Sequence, residues 1–370
     1  MNSSLHAQFV RRYKSGPEIR LDDLQLPGSA GVTVLFGPSG SGKTTVLRCI
    51  AGLDTPDEGF IRVGGEAWFD VDSGVNLASR HRRAGLVPQD FSLFPHMTVG
   101  ANIGYGLTGL SASRKASRVA EVCRWMGIEG LESRRPAELS GGQQQRVAMA
   151  RAVVCEPRLL LLDEPLASLD TPTRVRLRGE LRGWLRQFQI PTLLVTHDRT
   201  EAMVLGDRMV VLDQGRVLQS GPVQEIFNRP ASLAAASIVG TESVFEAAVV
   251  AVTDGLATVA AGSVELTALV EEALAPGQDV CVCIRAEDVI LVRERAARTS
   301  ARNQVAGNVV GIAELGAMMR IELDCGFRLG ALLTRQACNE LGLAAGESVT
   351  AMIKAPHIHL IPLGNAEGRM

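Results

Sequence analysis

The chain has 370 residues, 46% of them hydrophobic, and 38 Lys and Arg against 40 Asp and Glu, for a formal net charge of −2. That length allows two or three domains with cores of their own, and the near-neutral balance supplies no global basic field, so nucleic acid is not an expected partner. No apolar run reaches the roughly 18 to 20 residues of a membrane-spanning helix, and Met1-Asn-Ser-Ser-Leu-His does not read as a signal peptide.

In chain order, the first strong signal is the apolar run Val32-Thr-Val-Leu-Phe36. It is followed by Gly37-Pro38-Ser39-Gly40-Ser41-Gly42-Lys43-Thr44 and by Thr45-Val-Leu-Arg-Cys-Ile50, which reads as a helix. Strand, loop and helix come in the order that the pattern G-x-x-x-x-G-K-S/T requires. Glycines at 37, 40 and 42 let successive backbone N–H groups turn inward toward a polyphosphate, and the helix N-terminus adds partial positive charge. Lys43 would then hold the β- and γ-phosphates of ATP, and the Thr44 hydroxyl would ligate Mg²⁺. A Gly-rich turn that binds nothing is the bland alternative.

Further along, the Arg80–Arg83 cluster lies on a polar stretch and reads as a solvated face. Leu139-Ser140-Gly141-Gly142-Gln143 precedes a helical pattern at 144–152; it offers free N–H donors at a positive dipole end, which suits an anion, or else a plain N-cap. Leu159-Leu-Leu-Leu-Asp163 and Glu164 form a fully apolar strand ending in two acids, which suits the centre of a parallel sheet whose carboxyl end carries ligands. Asp163 is placed to reach Mg²⁺ through water, and Glu164 to polarise the water that attacks the γ-phosphate. A second apolar strand, Thr192–Thr196, ends at His197-Asp198, and His197 is read as a γ-phosphate contact in preference to a structural residue.

After about Pro230 the pattern changes. Long helical segments such as Thr173–Phe188 give way to short Val/Ile/Ala strands between Gly, Pro and Asp turns. Two successive β modules are expected, at 241–293 and 300–364, each closing on an alternating strand, Val280–Leu291 and Val349–Leu360. They read as related small barrels of the oligomer-binding (OB) type, linked by the polar stretch Arg293–Ser300. The seven cysteines show no C-x-x-C pair and are read as reduced thiols. His357 and His359 share one strand face, but no carboxylate or cysteine set accompanies them to suggest a metal site.

With these motifs in this order, the chain resembles the ATP-binding-cassette family over roughly residues 5–235. The resemblance implies an α/β P-loop NTPase at 1–235, with a RecA-like core and a helical subdomain at about 90–155, followed by the all-β region. It makes Leu139–Gln143 the signature loop, which presents Ser140, Gly141 and Gly142 to the nucleotide held by the Gly37–Thr45 loop of a second subunit. Gln89, in Val87-Pro88-Gln89-Asp90, becomes the residue that touches Mg²⁺ and the attacking water and follows a transmembrane partner; Pro88 stands where the family usually has an aromatic or similar residue. Ser168 and Asp170 would lie on the dimer seam. Tyr13 would stack on adenine, with Phe9 competing for that role.

The tail resembles the regulatory domain of importer ATPase subunits. More narrowly, Ser300–Gly307, Leu332–Cys338 and Lys354-Ala355 are similar to the small molybdate-binding module, in which Ser300, Arg302 and Lys354 would collect an oxyanion through charge-assisted hydrogen bonds. Such modules also occur where they only dimerise. Gly65–Asp70, Leu77–Arg83 and Leu93–His96 look like the corresponding stretches of molybdate importer subunits, with much shared by sulfate, iron, polyamine and sugar importers. The resemblance implies a homodimer sandwiching two MgATP, peripheral on the cytoplasmic face of the inner membrane. The surface around Gln89–Asn102 would receive a separate permease chain. Solute choice would rest with that permease and an extracytoplasmic binding protein, and molybdate or tungstate is the leading solute. A soluble non-transport ATPase and an oxyanion-storage protein are the readings from other classes.

Overall fold

The computed structural model describes residues 4–14, 16, 18–28, 30–270 and 273–363; residue 364, the expected end of the second β module, lies outside them, as do residues 1–3. The chain divides into two compact units, Met1–Gln224 and Glu225–Met370.

The first unit opens with β1 (Leu5–Arg11), β2 (Ile19–Leu26), β3 (Val32–Phe36) and α1 (Lys43–Ala51). Then come β4 (Glu58–Val63), β5 (Glu66–Asp70), β6 (Val75–Asn76) and β7 (Ala84–Val87). A helical stretch follows: α2 (Val99–Ile103), α3 (Ala112–Met126) and α4 (Gly141–Val153). The unit closes with β8 (Leu159–Asp163), α5 (Thr171–Phe188), β9 (Thr192–Thr196), α6 (Arg199–Leu205), β10 (Arg208–Asp213) and β11 (Arg216–Pro222). One sheet, ordered β2-β1-β4-β5-β6, is antiparallel. The other, ordered β11-β10-β3-β9-β8-β7, is parallel from β10 to β7, with β11 antiparallel at its edge.

Every residue of β3, β8 and β9 is buried, which is why these strands read as unbroken apolar runs instead of alternating ones. Val46, Leu47, Cys49 and Ile50 of α1 share one core with Leu5 and Trp68 of the antiparallel sheet and Leu35, Leu161 and Val195 of the parallel one. Packing from both sheets therefore fixes the helix that follows the glycine loop. One expectation fails here: Arg82, read as part of a solvated cluster, is only 3% exposed. Its guanidinium donates to the carbonyls of Cys49 (2.7 Å) and Ile50 (2.9 Å) at the end of α1, and to those of Leu77 (2.8 Å) and Trp68 (3.3 Å). A cation at the negative end of a helix satisfies carbonyls that the helix leaves open, and its charge suits the dipole.

Helix α7 (Val223–Asn228) runs across the boundary between the units, and in the second unit α8 (Leu233–Val239) precedes β12 (Ser243–Thr253), β13 (Leu256–Ala261), β14 (Val264–Leu269), β15 (Asp279–Ile284) and β16 (Ile290–Val292). They are followed by β17 (Asn303–Leu315), β18 (Met318–Asp324), β19 (Arg328–Thr334), α9 (Arg335–Glu340), β20 (Ser348–Ile353) and β21 (Ile358–Pro362). The strands form two antiparallel five-stranded sheets, β14-β13-β12-β15-β21 and β16-β20-β17-β18-β19, an all-β, OB-like arrangement. The two stretches 241–293 and 300–364 exchange their last strands, since β21 pairs with β15 and β16 pairs with β20. Exchange covers strand edges that would stay open in separate modules. Asn303, 3% exposed, ties the sheets together: its amide oxygen accepts from Thr267 N–H (2.6 Å) and its amide nitrogen donates to the carbonyls of Thr267 (2.9 Å) and Ile353 (3.2 Å).

Candidate active site

Four loops leave the carboxyl ends of four neighbouring strands. Gly37 follows β3, His197 follows β9, Glu164 follows β8, and Pro88-Gln89 follows β7, and the strands lie side by side in that order. In parallel α/β sheets this edge is where ligands bind, because the strand ends present loops and helix N-termini on one side.

The glycine loop is closely packed at Gly37 and Gly42, whereas Gly40 at its turn is open. A Cβ on Gly37 would stand 2.1 Å from the carbonyl of Leu212, and Gly42, at φ +101°, would push one to 2.6 Å from Ile19. Gly42 is also the N-cap of α1 and offers no side-chain cap, so the first-turn N–H groups keep their capacity for an anion. The Lys43 ammonium curls back into the loop and donates to the carbonyls of Gly37 (2.9 Å) and Pro38 (2.7 Å), with Ser41 Oγ at 3.5 Å. Burial pushes its pKa down, and the charges of Glu164 and Asp163 counter that. Ser39 and Gly40 form the turn, Ser41 is buried, and Thr45 follows Thr44 in the first turn of α1.

Thr44 Oγ1 donates to Asp163 Oδ1 at 3.2 Å. Burial raises the Asp163 pKa, the Thr44 hydrogen bond lowers it, and the neighbouring Glu164 raises it again. Glu164 itself sits at φ +45°, a left-handed conformation that side-chain-bearing residues seldom adopt. Its N–H donates to Val195 O (3.0 Å), which locks the turn against β9 and brings its Oε1 to 2.9 Å from His197 Nδ1.

Leu139–Gln143 forms a second group. Ser140 caps α4 through a reciprocal pair: its Oγ accepts from Gln143 N–H (3.4 Å), while Gln143 Oε1 accepts from Ser140 N–H (2.9 Å). Leu139 is buried, whereas Ser140 and Gly141 are exposed. The start of α4 packs on the expected seam segment, where a Cβ on Gly141 would meet Leu169 at 3.2 Å and one on Gly142 would meet Leu177 at 3.1 Å. Ser168 is exposed, and Asp170 caps α5 by accepting from Thr173 N–H (3.0 Å). Among the described residues, no hydrogen bond joins this group to the Gly37–Thr45 loop.

Gln89 is exposed at the end of β7. The segment after it is bent through positive φ at Phe91 (60°) and Ser92 (40°), and Arg151 of α4 pins both carbonyls (2.7 and 2.8 Å). Fully buried Asn102 accepts from Phe94 N–H (2.8 Å) and donates to the carbonyls of Phe94, Met97 and Thr98. The sequence marks Asn102 only as the end of the expected permease-facing segment and gives Arg151 no role, since an Arg or Asn inside a helical pattern carries no signal of such bracing. Tyr13 is 39% exposed; its hydroxyl donates to Asp54 Oδ2 (2.8 Å) and the Arg11 guanidinium lies 4.8 Å from its ring centre, whereas Phe9 is a core residue.

In the second unit, Arg302 and Lys354 immediately flank the paired residues Asn303 and Ile353, so the β17–β20 ladder brings them to one end of the sheet, with Ser300 two residues before Arg302. All three are exposed. His357 Nδ1 lies 2.9 Å from Asp288, and His359 Nε2 lies 2.9 Å from the carbonyl of Pro230. Among the described residues, no helix is long and apolar enough to cross a membrane.

A family model for the ABC transporter matches residues 23–167, and one for the TOBE domain matches residues 299–360. The chain is 41% identical over 333 residues to the molybdate/tungstate import ATP-binding protein WtpC of Pyrococcus horikoshii, covering 89% of this chain and 92% of the relative. It is 39% identical over 356 residues to the molybdenum import ATP-binding protein ModC of Pseudomonas syringae pv. tomato, covering 94% and 97%. It is also 40% identical over 365 residues to the sulfate/thiosulfate import ATP-binding protein CysA 2 of Chromobacterium violaceum, covering 97% and 95%. Near-complete coverage at this identity, together with a glycine loop, two strand-end acids and a strand-end histidine meeting at one sheet edge, makes this chain an ATP-binding protein of the ABC transporter family.

Proposed function

We propose that the chain is the ATP-hydrolysing subunit of an import complex, working as a homodimer against a separate permease on the cytoplasmic face of the membrane, with molybdate or tungstate as the solute. The observation that carries the chemistry is the meeting of Lys43, Thr44, Asp163, Glu164 and His197 at neighbouring strand ends. The loop N–H groups and Lys43 bind the phosphates. Thr44 Oγ1 and Asp163, hard oxygen donors 3.2 Å apart, fit Mg²⁺, which when bound would offset the charge of the β- and γ-phosphates. Glu164 accepts the proton of the attacking water, and His197, bonded to Glu164, orients that carboxylate and contacts the γ-phosphate. Gln89, on the next strand end, contributes to the same water and ion.

Support for the homodimer comes from Ser140 and Gly141, exposed N–H donors at the N-terminus of α4 that are available to a nucleotide held by a second copy. Two copies placed head to tail would oppose the α4 N-terminus of each to the α1 N-terminus of the other, with Ser168 and Asp170 at the seam, and so surround each nucleotide. Closure on two nucleotides and reopening after hydrolysis would drive the permease through the segment that Asn102 and Arg151 brace.

The solute rests on the relatives' names and on the tail, where Ser300, Arg302 and Lys354 can provide charge-assisted hydrogen bonds to an oxyanion. The sulfate/thiosulfate relative supports a second reading, an importer of another tetrahedral oxyanion. Uptake of labelled molybdate by cells lacking their own ATP-binding subunit but expressing this chain with its permease and solute-binding protein tests both. Molybdate uptake that tolerates excess sulfate supports the first, and sulfate uptake in its place supports the second. No uptake of either, with ATPase activity intact, overturns the oxyanion assignment.

A further inference from the structure

We infer that Glu201 is a positioning residue for hydrolysis, holding His197 against Glu164 through a closed ring of hydrogen bonds with Thr196 and Asp198; this rests on the catalytic reading of Glu164 and His197 above. Thr196 and Asp198 are the residues on either side of His197. The Thr196 hydroxyl, at the buried end of β9, donates to Glu201 Oε2 (2.9 Å) and accepts from Asp198 N–H (3.0 Å). Asp198 Oδ1 accepts in turn from Glu201 N–H (2.7 Å) and so caps α6. Three bonds among three residues thus fix the backbone before and after His197.

His197 needs such a frame because its surroundings cover it only in part. Its side chain is 54% exposed, so packing restrains its rotamer weakly, and the bond to Glu164 only works if the backbone delivers the ring to the right place. Glu201 is anchored where His197 is not, at 3% exposure. Burial pushes its carboxyl up, the Thr196 hydrogen bond lowers it, the Asp198 charge raises it again, and Arg178 and Arg174 of α5 lower it. Arg178 also stands 4.0 Å from the Asp198 carboxylate. Because Asp170 is the N-cap of α5, the ring is tied to the helix that follows the Ser168–Asp170 segment.

The test compares MgATP turnover and nucleotide affinity of the full-length chain in single and double variants. Glu201→Ala should lower kcat roughly 10–100-fold while leaving ATP affinity within about twofold, as expected for a misplaced catalytic group. Glu201→Gln, which can still accept the Thr196 hydroxyl, should recover most of the rate. In a His197→Ala background, Glu201→Ala should cost nothing further. A full additional loss in that background, or a Gln variant no better than Ala, would reduce Glu201 to an ordinary structural residue and overturn the inference. Should Glu201→Ala fail to fold, Thr196→Val against Thr196→Ser decides: loss with Val and retention with Ser support the ring, and a wild-type rate with Val refutes it. Wild-type turnover in His197→Ala would instead remove the catalytic reading itself, whereas loss there with normal turnover in Glu201→Ala removes only the positioning role.

Discussion

His197 Nδ1 lies 2.9 Å from Glu164 Oε1, although the two are 33 positions apart in the chain. They meet because β8 and β9 run parallel in register, Asp163 opposite Val195, and so end at the same level of the sheet. The pairing gives the proposed general base a fixed orientation before any nucleotide contact is made.

Replacing Glu164 with Gln keeps the hydrogen-bonding shape and removes the proton acceptor. Phosphate release should fall by roughly 10²–10⁴-fold, the usual weight of a general base. ATP binding should persist, and size-exclusion chromatography in MgATP should show an accumulated dimer. Turnover at the wild-type rate would sink the assignment of Glu164.

Thr44→Val removes one oxygen donor and leaves Asp163 without its hydroxyl partner. The Mg²⁺ concentration for half-maximal ATPase activity should rise roughly tenfold, in line with the sensitivity of metal sites to their ligands and supports. Titrating Mg²⁺ at fixed ATP measures it, and an unchanged midpoint would place the ion elsewhere.

Arg82→Met fills similar volume but abandons the carbonyls of Cys49, Ile50, Leu77 and Trp68 in a buried place. Leaving several buried acceptors unpaired should cost about 2–4 kcal/mol of stability. Urea denaturation should show a lower midpoint, and ATP affinity should weaken as the end of α1 loosens. An unchanged midpoint would show that water replaces the guanidinium.

Glu201 gives a pH signature. Burial raises its folded pKa above the unfolded value, against partial opposition from the Thr196 hydrogen bond and from Arg178 and Arg174, with Asp198 adding to the rise. The folded state therefore binds this proton more tightly than the unfolded chain does. Its stabilising contribution is full below the unfolded carboxyl pKa of about 4.3 and is lost as pH rises through the folded pKa. Glu201→Gln removes that loss, so its Tm relative to wild type should climb steadily from pH 4 to pH 7. A Tm difference independent of pH would mean that Glu201 titrates normally.

Much of the candidate site is legible in the sequence because its motifs are local. Gly37–Thr44 is a contiguous string in which each residue type has one physical task, and the apolar runs ending at Asp163 and Thr196 announce buried parallel strands. Arg82 was misread because its neighbours Arg80 and Arg83 really are exposed, and only the packing of α1 against the antiparallel sheet shows which arginine turns inward. Asp198 and Glu201 have capping spacing ahead of a helix, but nothing local says that the Glu201 carboxylate folds back onto the Thr196 hydroxyl that precedes the histidine.

Residue order alone pointed to an ATP-binding site, an acid pair and a histidine behind a phosphate loop, because backbone N–H donors, carboxylates and glycines in that spacing serve few other purposes. It also marked the switch to a β-rich tail near Pro230. Tertiary structure decided which strands are neighbours, and with that the contact of Glu164 with His197, the packing of Gly141 and Gly142 on Leu169 and Leu177, and the exchange of β16 and β21 between the tail sheets. Strand neighbours are chosen by long-range pairing and by the burial of whole faces, which depend on all the elements together and leave no mark at any single position.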